Sequence, residues 1–135
     1  MDLAAIHGFV LGFVTVGSWA VVGGWALALR FTRYEETPTF WRAVSIAQMA
    51  LALQWLIGLA LIVIALLGRG ALPGDGSAFD VTFHLLYGMG FPLLVLVVAH
   101  KLARGGTHNP HTVFAVAGLV NFGLTARAWM VGVGG

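Results

Sequence analysis

Hydrophobic side chains dominate four long stretches of the chain, at about 3–29, 41–67, 81–102 and 112–133, and polar side chains collect between them. The hydrocarbon core of a bilayer is about 30 Å thick, so a helix needs about 20 mainly apolar residues to cross it. Each stretch is that long, and none alternates apolar and polar residues with the period of two that marks a strand. The pattern therefore predicts four transmembrane helices.

The three segments between these stretches are short and contain residues typical of turns. Pro38 lies in the first, the second (68–80) is rich in glycine, and Asn109 and Pro110 lie in the third. Short connections make consecutive helices antiparallel neighbours. We therefore expect an all-α integral membrane fold, an up-down bundle of four transmembrane helices that forms one domain over residues 1–135.

The composition agrees with a membrane protein. Of the 135 residues, 59% are hydrophobic and 9% are charged, and the mean hydropathy is +0.93. A soluble domain has about a quarter of its residues charged, so most of this surface must face lipid. The net charge of +2 is too small to indicate a nucleic-acid partner. The chain has no cysteine, which excludes thioether-attached haem and iron–sulfur clusters held by thiolates.

The basic residues predict the orientation of the bundle. Five of them lie in or beside the first and third connections: Arg30, Arg33, Arg42, Lys101 and Arg104. The second connection contains only Arg69, and Glu35 and Glu36 do not change the balance because acidic residues contribute little to it. Lysine and arginine concentrate on the cytoplasmic side, so we expect both termini on the outer, periplasmic side of the inner cell membrane. No basic segment precedes the first stretch, so no cleavable signal peptide is expected.

Two histidines lie near the starts of the first and third stretches. His7 and His84 follow Asp2 and Asp80 by four or five residues, and the aspartates stand where helix caps are expected. At 1.5 Å per residue, both histidines lie about 6–8 Å into their helices, at the same face of the membrane. Histidine is rare in lipid-embedded segments, and a shared depth indicates a shared ligand. A haem iron held between the two imidazoles is the leading hypothesis, and the similar helix beginnings hint at a duplicated helical hairpin.

Other residues near this depth suit the same hypothesis. Glycines beside the histidines would clear space for the macrocycle: Gly8, Gly12, Gly88 and Gly90. Arg127, in the fourth stretch, could pair with a haem propionate. The alternative interpretation is structural. The glycines then permit close helix packing, the histidines form hydrogen bonds across helices, and Arg127 reaches lipid phosphates.

Uncharged polar residues lie deeper in the stretches: Gln48, Gln54, Asn121 and Thr125. Such residues usually hold membrane helices together. The functional alternative is a quinone or lipid-headgroup site lined by Tyr87 and Trp129.

The remaining aromatic and histidine residues carry weaker expectations. His100 ends the third stretch without a clear partner on another helix, so one haem is expected rather than two. His108 and His111 flank the third connection, where a solvated turn is expected rather than a surface metal site. Four residues are expected to form an aromatic belt at the cytoplasmic interface: Trp19, Trp25, Trp41 and Tyr34.

Three sequence features carry a resemblance to a known class: His7 and His84 on alternate stretches, the sequence His84-x2-Tyr87-Gly88, and Gln54 before Gly58. The arrangement resembles small four-helix membrane haem proteins, including di-haem b-type cytochromes and the haem-A-synthase type, whose bundles take axial histidines from facing helices. The resemblance implies a haem b protein that acts in electron transfer or as a haem-bearing subunit of a respiratory complex. Its partners would then be lipid, other subunits of a redox complex or a second copy of the chain.

The alternative function is a cofactor-free structural or accessory membrane subunit whose polar residues only pack helices. The sequence shows no nucleophile–base pair and no carboxylate inside a stretch, so independent catalytic activity is not expected.

Overall fold

The computed structural model describes residues 2–32 and 38–133, and over these ranges the chain is helical and contains no strand. Four helices are long and apolar enough to cross a membrane: α1 (Leu3–Thr32), α2 (Pro38–Leu66), α3 (Ala78–Arg104) and α4 (Pro110–Val133). The prediction of an all-α chain with four candidate spans is confirmed. Several residues with sequence-based expectations lie outside the described ranges: Arg33, Tyr34, Glu35, Glu36 and the two chain ends.

Side-chain caps begin α1 and α3, one as predicted and one not. Asp2 accepts a hydrogen bond from the N–H of Ala5 at 2.7 Å and caps α1, as expected. Asp80 does not cap α3, because the helix starts earlier, at a Ser77 hydroxyl that accepts from the N–H of Asp80 at 3.1 Å. The Asp80 carboxylate instead accepts the N–H of Asp75 at 3.1 Å. The Asp75 carboxylate accepts the N–H of Ser77 at 2.7 Å, which lowers the pKa of Asp75 and orders the second connection.

The helices form an antiparallel bundle with a central pair and one open side. α1 packs most extensively against α4, α2 packs against α1, α3 packs against α4, and α2 and α3 have few contacts with each other. Gly23 lies against Gly118, and Gly12 lies against Trp129, so α1 and α4 run in opposite directions. A Cβ atom added to Gly118 would lie 2.7 Å from the Cα of Gly23. Small residues at such a crossing let backbones approach where lipid supplies no hydrophobic drive for association.

Large apolar side chains cover the outside of the bundle. Leu56 is 66% exposed, Val116 is 59% exposed, and similar side chains surround all four helices. A protein with this surface would aggregate in water. In a bilayer, apolar side chains are the ones expected to face the lipid. The described helices therefore fit a multi-pass membrane protein.

The end of the bundle near the first and third connections is filled by aromatic rings. We call it the aromatic end; its members are Phe40, Trp41, His111 and Phe114. Phe40 is fully buried, and the ring of His111 lies 5.5 Å from it and 6.4 Å from Trp41, centroid to centroid. The Asn109 side chain accepts hydrogen bonds from the N–H groups of His111 and Thr112 at 3.0 and 3.1 Å and so starts α4 there.

This packing corrects two expectations. His111 is 6% exposed, not part of a solvated turn, because its ring packs against Phe40 and Trp41 of α2. Trp19 is fully buried in the core, so its ring does not belong to an interfacial belt, whereas Trp25 and Trp41 are partly buried against that core and their interfacial position stays a prediction. Sequence alone does not show which side of an almost uniformly apolar helix faces its neighbours.

Candidate histidine site

The structure brings His7 of α1 and His84 of α3 together at the end of the bundle opposite the aromatic end. Their ring centroids are 6.2 Å apart and the ring planes meet at 61°. The two residues come from different hairpins and are distant in sequence, so the antiparallel bundle creates this pair. Their predicted proximity agrees with the structure.

Each histidine accompanies a local departure from α-helical geometry. α1 is π-helical over Ile6–Leu11, which includes His7, and α3 is π-helical over Leu86–Gly90, just after His84. A π turn contains an extra residue, changes which side chains face inward and is frequent at functional sites. Such turns also leave backbone carbonyls available to other donors.

Two tryptophans from the other helices use these carbonyls. Trp129 of α4 donates its indole N–H to the carbonyl of Gly8, and Trp55 of α2 donates to the carbonyl of Gly88 at 2.7 Å. Each hydrogen bond connects the π segment of one hairpin to a helix of the other hairpin.

Glycines make room for both imidazole rings. A Cβ on Gly58 would lie 2.9 Å from Cε1 of His7, and a Cβ on Gly132 would lie 3.0 Å from Cε1 of His84. Gly58 follows Trp55 by three residues, and Gly132 follows Trp129 by three residues. The sequence Trp-x2-Gly therefore occurs at the same place in α2 and α4. This repeat is visible in the sequence, but only the bundle shows that its glycines face the two histidines.

The hydrogen bonds of the site define which histidine atoms are free. Nδ1 of His84 lies 3.0 Å from the carbonyl oxygen of Ala128, which can only accept, so Nδ1 carries the proton and Nε2 keeps its lone pair. Nδ1 of His7 is buried without a partner in the described part of the chain. Gln54 donates to the backbone carbonyl of His7 at 3.1 Å, while its own side-chain oxygen is buried and unpartnered there. Polar capacity therefore remains unfilled around the histidines.

A cavity of about 470 Å³ surrounds the pair, and we call it the histidine cavity. Its mouth is formed by Asp2 and by Leu72 and Pro73 of the second connection, and its inner end reaches Thr15 and Thr125. Cofactor and ligand sites typically have volumes of roughly 300–1,000 Å³ with mainly apolar walls and few polar groups. The histidine cavity fits that description.

Two predicted site residues lie outside the cavity lining. Tyr87 stacks on Phe83 with centroids 4.1 Å apart, in a row of rings along one side of α3. Arg127 is exposed, and its guanidinium carbon lies 5.4 Å from the centroid of the Phe83 ring. The structure therefore does not bring Tyr87 or Arg127 to the histidines.

Three of the four predicted glycines, Gly8, Gly12 and Gly88, line the cavity, but an indole ring occupies the space beside Gly12. A Cβ on Gly12 would lie 2.6 Å from Cδ1 of Trp129, so this ring fills the space that the sequence assigned to a macrocycle. Gly88 lines the cavity and binds Trp55 through its carbonyl. Gly8 and Gly90 have no contact this close.

A buried polar cluster continues inward from the cavity along the α1–α4 interface. Thr125 donates its hydroxyl to the carbonyl of Asn121 at 2.7 Å. Asn121 is fully buried, and neither its side-chain oxygen nor its nitrogen has a partner in the described ranges. The Thr15 hydroxyl and the Trp19 indole nitrogen are likewise buried and unpartnered there. Helix packing alone leaves these groups unsatisfied, which is costly in a membrane interior.

The side chains at the site distinguish between two kinds of metal centre. One is held by protein side chains alone, and the other is held within a macrocycle. The described residues contain no group of three histidine, cysteine or acidic side chains placed to hold an ion, so a tetrahedral protein-bound metal does not fit. Two imidazoles suffice when a macrocycle supplies the other ligands. The two imidazoles, whose ring centroids are 6.2 Å apart, are the described side chains that could hold such a group.

Comparison of the chain with protein-family models, with curated proteins and with solved structures finds no significant match. The functional argument therefore depends on the geometry of the site.

Proposed function

We propose that this chain is a membrane haem b protein that holds one haem between His7 and His84 and acts in electron transfer or as a haem-bearing subunit of a respiratory complex. The observation that carries the proposal is the imidazole pair, 6.2 Å apart at a mainly apolar cavity of about 470 Å³. A haem b with two imidazole ligands supplies a one-electron redox couple. The chain contributes the ligands, their orientation and a site sheltered from water.

The surroundings of the histidines support a ligand role. Histidines that bind metals usually donate their second ring N–H to a carbonyl or carboxylate, which orients the ring and raises its basicity. His84 has this arrangement through Ala128. His7 is held through its backbone by Gln54 and lies in the recess at Gly58. Arg127 and Tyr87 are not part of the proposed ligand set, because they lie outside the cavity lining.

The membrane placement belongs to the same proposal. The basic residues of the first and third connections favour a cytoplasmic location for the aromatic end. The histidine cavity then lies near the outer face of the inner membrane, accessible to an electron donor or acceptor on that side. Fusions of a reporter to the second connection test this orientation, because a cytoplasmic signal would contradict it.

The absorption spectrum of the purified protein tests the haem proposal directly. We expect sharp bands in the reduced-minus-oxidised spectrum and about one haem per chain when haem is supplied during production. His7→Ala and His84→Ala should each abolish the low-spin spectrum. His108→Ala is the matched control, since His108 is exposed at the other end of the bundle and should leave the spectrum unchanged. Full wild-type spectra from both cavity variants would rule out the assignment.

A cofactor-free accessory subunit is the second candidate. Trp55, Trp129 and Gln54 all donate to backbone carbonyls of neighbouring helices, and these bonds hold the bundle together without any ligand. This function predicts a colourless protein even with haem in excess. It also predicts that His7→Ala and His84→Ala change stability and subunit assembly only.

A further inference from the structure

A second cavity of about 580 Å³ lies on the open side of the bundle, between α2 and α3. We call it the basic cavity, because Lys101 and Arg104 stand at its rim. Leu51 and Trp55 line both this cavity and the histidine cavity, so a layer of side chains separates the two. The basic cavity therefore lies toward the opposite end of the bundle from the histidines.

The polar floor of the basic cavity is formed by Gln48 and His100, whose side chains contact each other. Nδ1 of His100 lies 2.9 Å from the carbonyl of Leu96 and so donates to it, which leaves Nε2 to accept from the Gln48 amide at 3.2 Å. Both imidazole nitrogens of His100 are thus engaged.

The rim of the cavity carries two positive charges for which the described residues supply no carboxylate partner. Lys101 and Arg104 belong to the last turn of α3, and neither forms an ion pair within the described ranges. By contrast, Arg30 on α1 donates to the hydroxyl of Thr112 at 2.9 Å. An acceptor-rich, negatively charged group matches these two cations, which have no ion-pair partner in residues 2–32 and 38–133.

The remaining wall is apolar and open to the surrounding lipid. Leu93 and Val97 line the cavity while 47% and 58% of their surfaces are exposed, and Leu96 closes its back. An acyl chain can therefore enter from the side of the bundle and lie along α3. The cavity combines a charged rim with a hydrocarbon-lined groove.

We propose that the basic cavity binds an anionic phospholipid, with the phosphate at Lys101 and Arg104 and an acyl chain along Leu93 and Val97. Basic pockets between transmembrane helices are suited to such headgroups. A neutral quinone would fill the groove but would leave both cations uncompensated, so the charge distribution favours the phospholipid. The proposal is independent of haem binding in the histidine cavity.

Native mass spectrometry of the full chain with phosphatidylglycerol and phosphatidylcholine of identical acyl chains tests the proposal. We expect the wild-type protein to retain phosphatidylglycerol preferentially, and the double variant Lys101→Gln/Arg104→Gln to lower that preference about tenfold or more. The matched control is Arg30→Gln/Arg42→Gln, which removes two charges from the same end of the bundle outside the cavity. An equal loss of phosphatidylglycerol preference in the control variant would show that the effect comes from general surface charge, and would overturn the proposal.

Variants that fill the groove test the acyl-chain part without changing charge. Val97→Trp should lower phosphatidylglycerol retention several-fold, whereas Val116→Trp, on an exposed part of α4 outside the cavity, should not. Displacement by inorganic phosphate would indicate a free-anion site and overturn the lipid assignment. A short-chain quinone could instead displace the phospholipid and bind the double variant as tightly as the wild type. That result would indicate a quinone site and would also overturn the lipid assignment. His7→Ala should leave lipid retention unchanged, which separates this result from the haem test.

Discussion

The two ends of the bundle use aromatic side chains in opposite ways. At the aromatic end, Phe40 and Phe114 fill the interior, and His111 packs between rings as one more core side chain. At the other end, glycines replace bulky residues, and His7 and His84 face a cavity of about 470 Å³. The same residue type is therefore structural at one end and a candidate ligand at the other. The difference is that neighbouring rings pack against the imidazole of His111, whereas the neighbouring helices leave a cavity beside His7 and His84.

The hydrogen bonds show the same contrast. Inside the packed part of the bundle, Trp19 and His111 each have a buried ring nitrogen with no hydrogen-bond partner among the described residues. Near the histidine cavity, Trp55 and Trp129 instead donate to the carbonyls at the π segments. Tight aromatic packing stabilises the first region, and directed hydrogen bonds hold the second one open. Stability and function are thus expected to separate along the bundle axis.

The largest expected effect on stability is at the aromatic end. Phe114→Ala removes a ring that is 2% exposed, and we expect the free energy of unfolding to fall by about 3 kcal/mol because a cavity remains. His84→Ala, at the half-empty end, should cost much less. Unfolding in mixed micelles, followed by tryptophan fluorescence, compares the two variants. Equal losses would contradict the division of the bundle into a packed and an open end.

The next largest effect comes from filling the recess beside a ligand histidine. Gly132→Leu would place a side chain on the ring of His84, so we expect the haem content to fall at least about tenfold, with a stability loss of about 1–2 kcal/mol. Gly123→Leu is the matched control on the same helix, since a Cβ there meets nothing within 4 Å. Haem content is measured from the absorption spectrum of the purified variants. A normal haem content in the Gly132→Leu variant would show that the recess at Gly132 does not position His84.

The buried polar cluster between the two ends provides a smaller effect of defined sign. Asn121→Leu replaces a fully buried amide whose polar atoms have no partner in the described ranges, so the variant should gain about 1 kcal/mol of stability. The neighbouring Gly123→Ala, on an open surface of the helix, serves as a control for helix propensity. A loss of stability in Asn121→Leu would instead indicate that water or a ligand satisfies the amide, extending the histidine cavity inward.

The smallest effect is expected at Arg127. Its guanidinium group contacts the Phe83 ring on the outside of the bundle, so Arg127→Gln should change stability by about 0.5 kcal/mol. A redox titration should give the wild-type midpoint potential. A lowered potential with intact low-spin ligation would restore the propionate role that the sequence suggested. Lys101→Gln is a suitable control, because it removes a charge of the same sign far from the histidines.

The sequence by itself determined the features that depend on composition and local pattern. Four apolar stretches, each at least about 20 residues long, predict four spans because the thickness of the bilayer sets the length of a spanning helix. Asp2 predicts the start of α1 because its side chain satisfies a free N–H of the first turn. The pair His7 and His84 was also predictable, since antiparallel hairpins return alternate helix starts to the same end.

The tertiary structure decided which side of each helix faces inward. In lipid both sides of a helix are apolar, so hydrophobic periodicity does not distinguish the core from the surface. For that reason the sequence placed His111 in a turn, Trp19 in a belt and Arg127 beside the histidines, and packing assigned each a different position. The π segments and the recesses at Gly58 and Gly132 depend on contacts between helices, which only the assembled bundle defines.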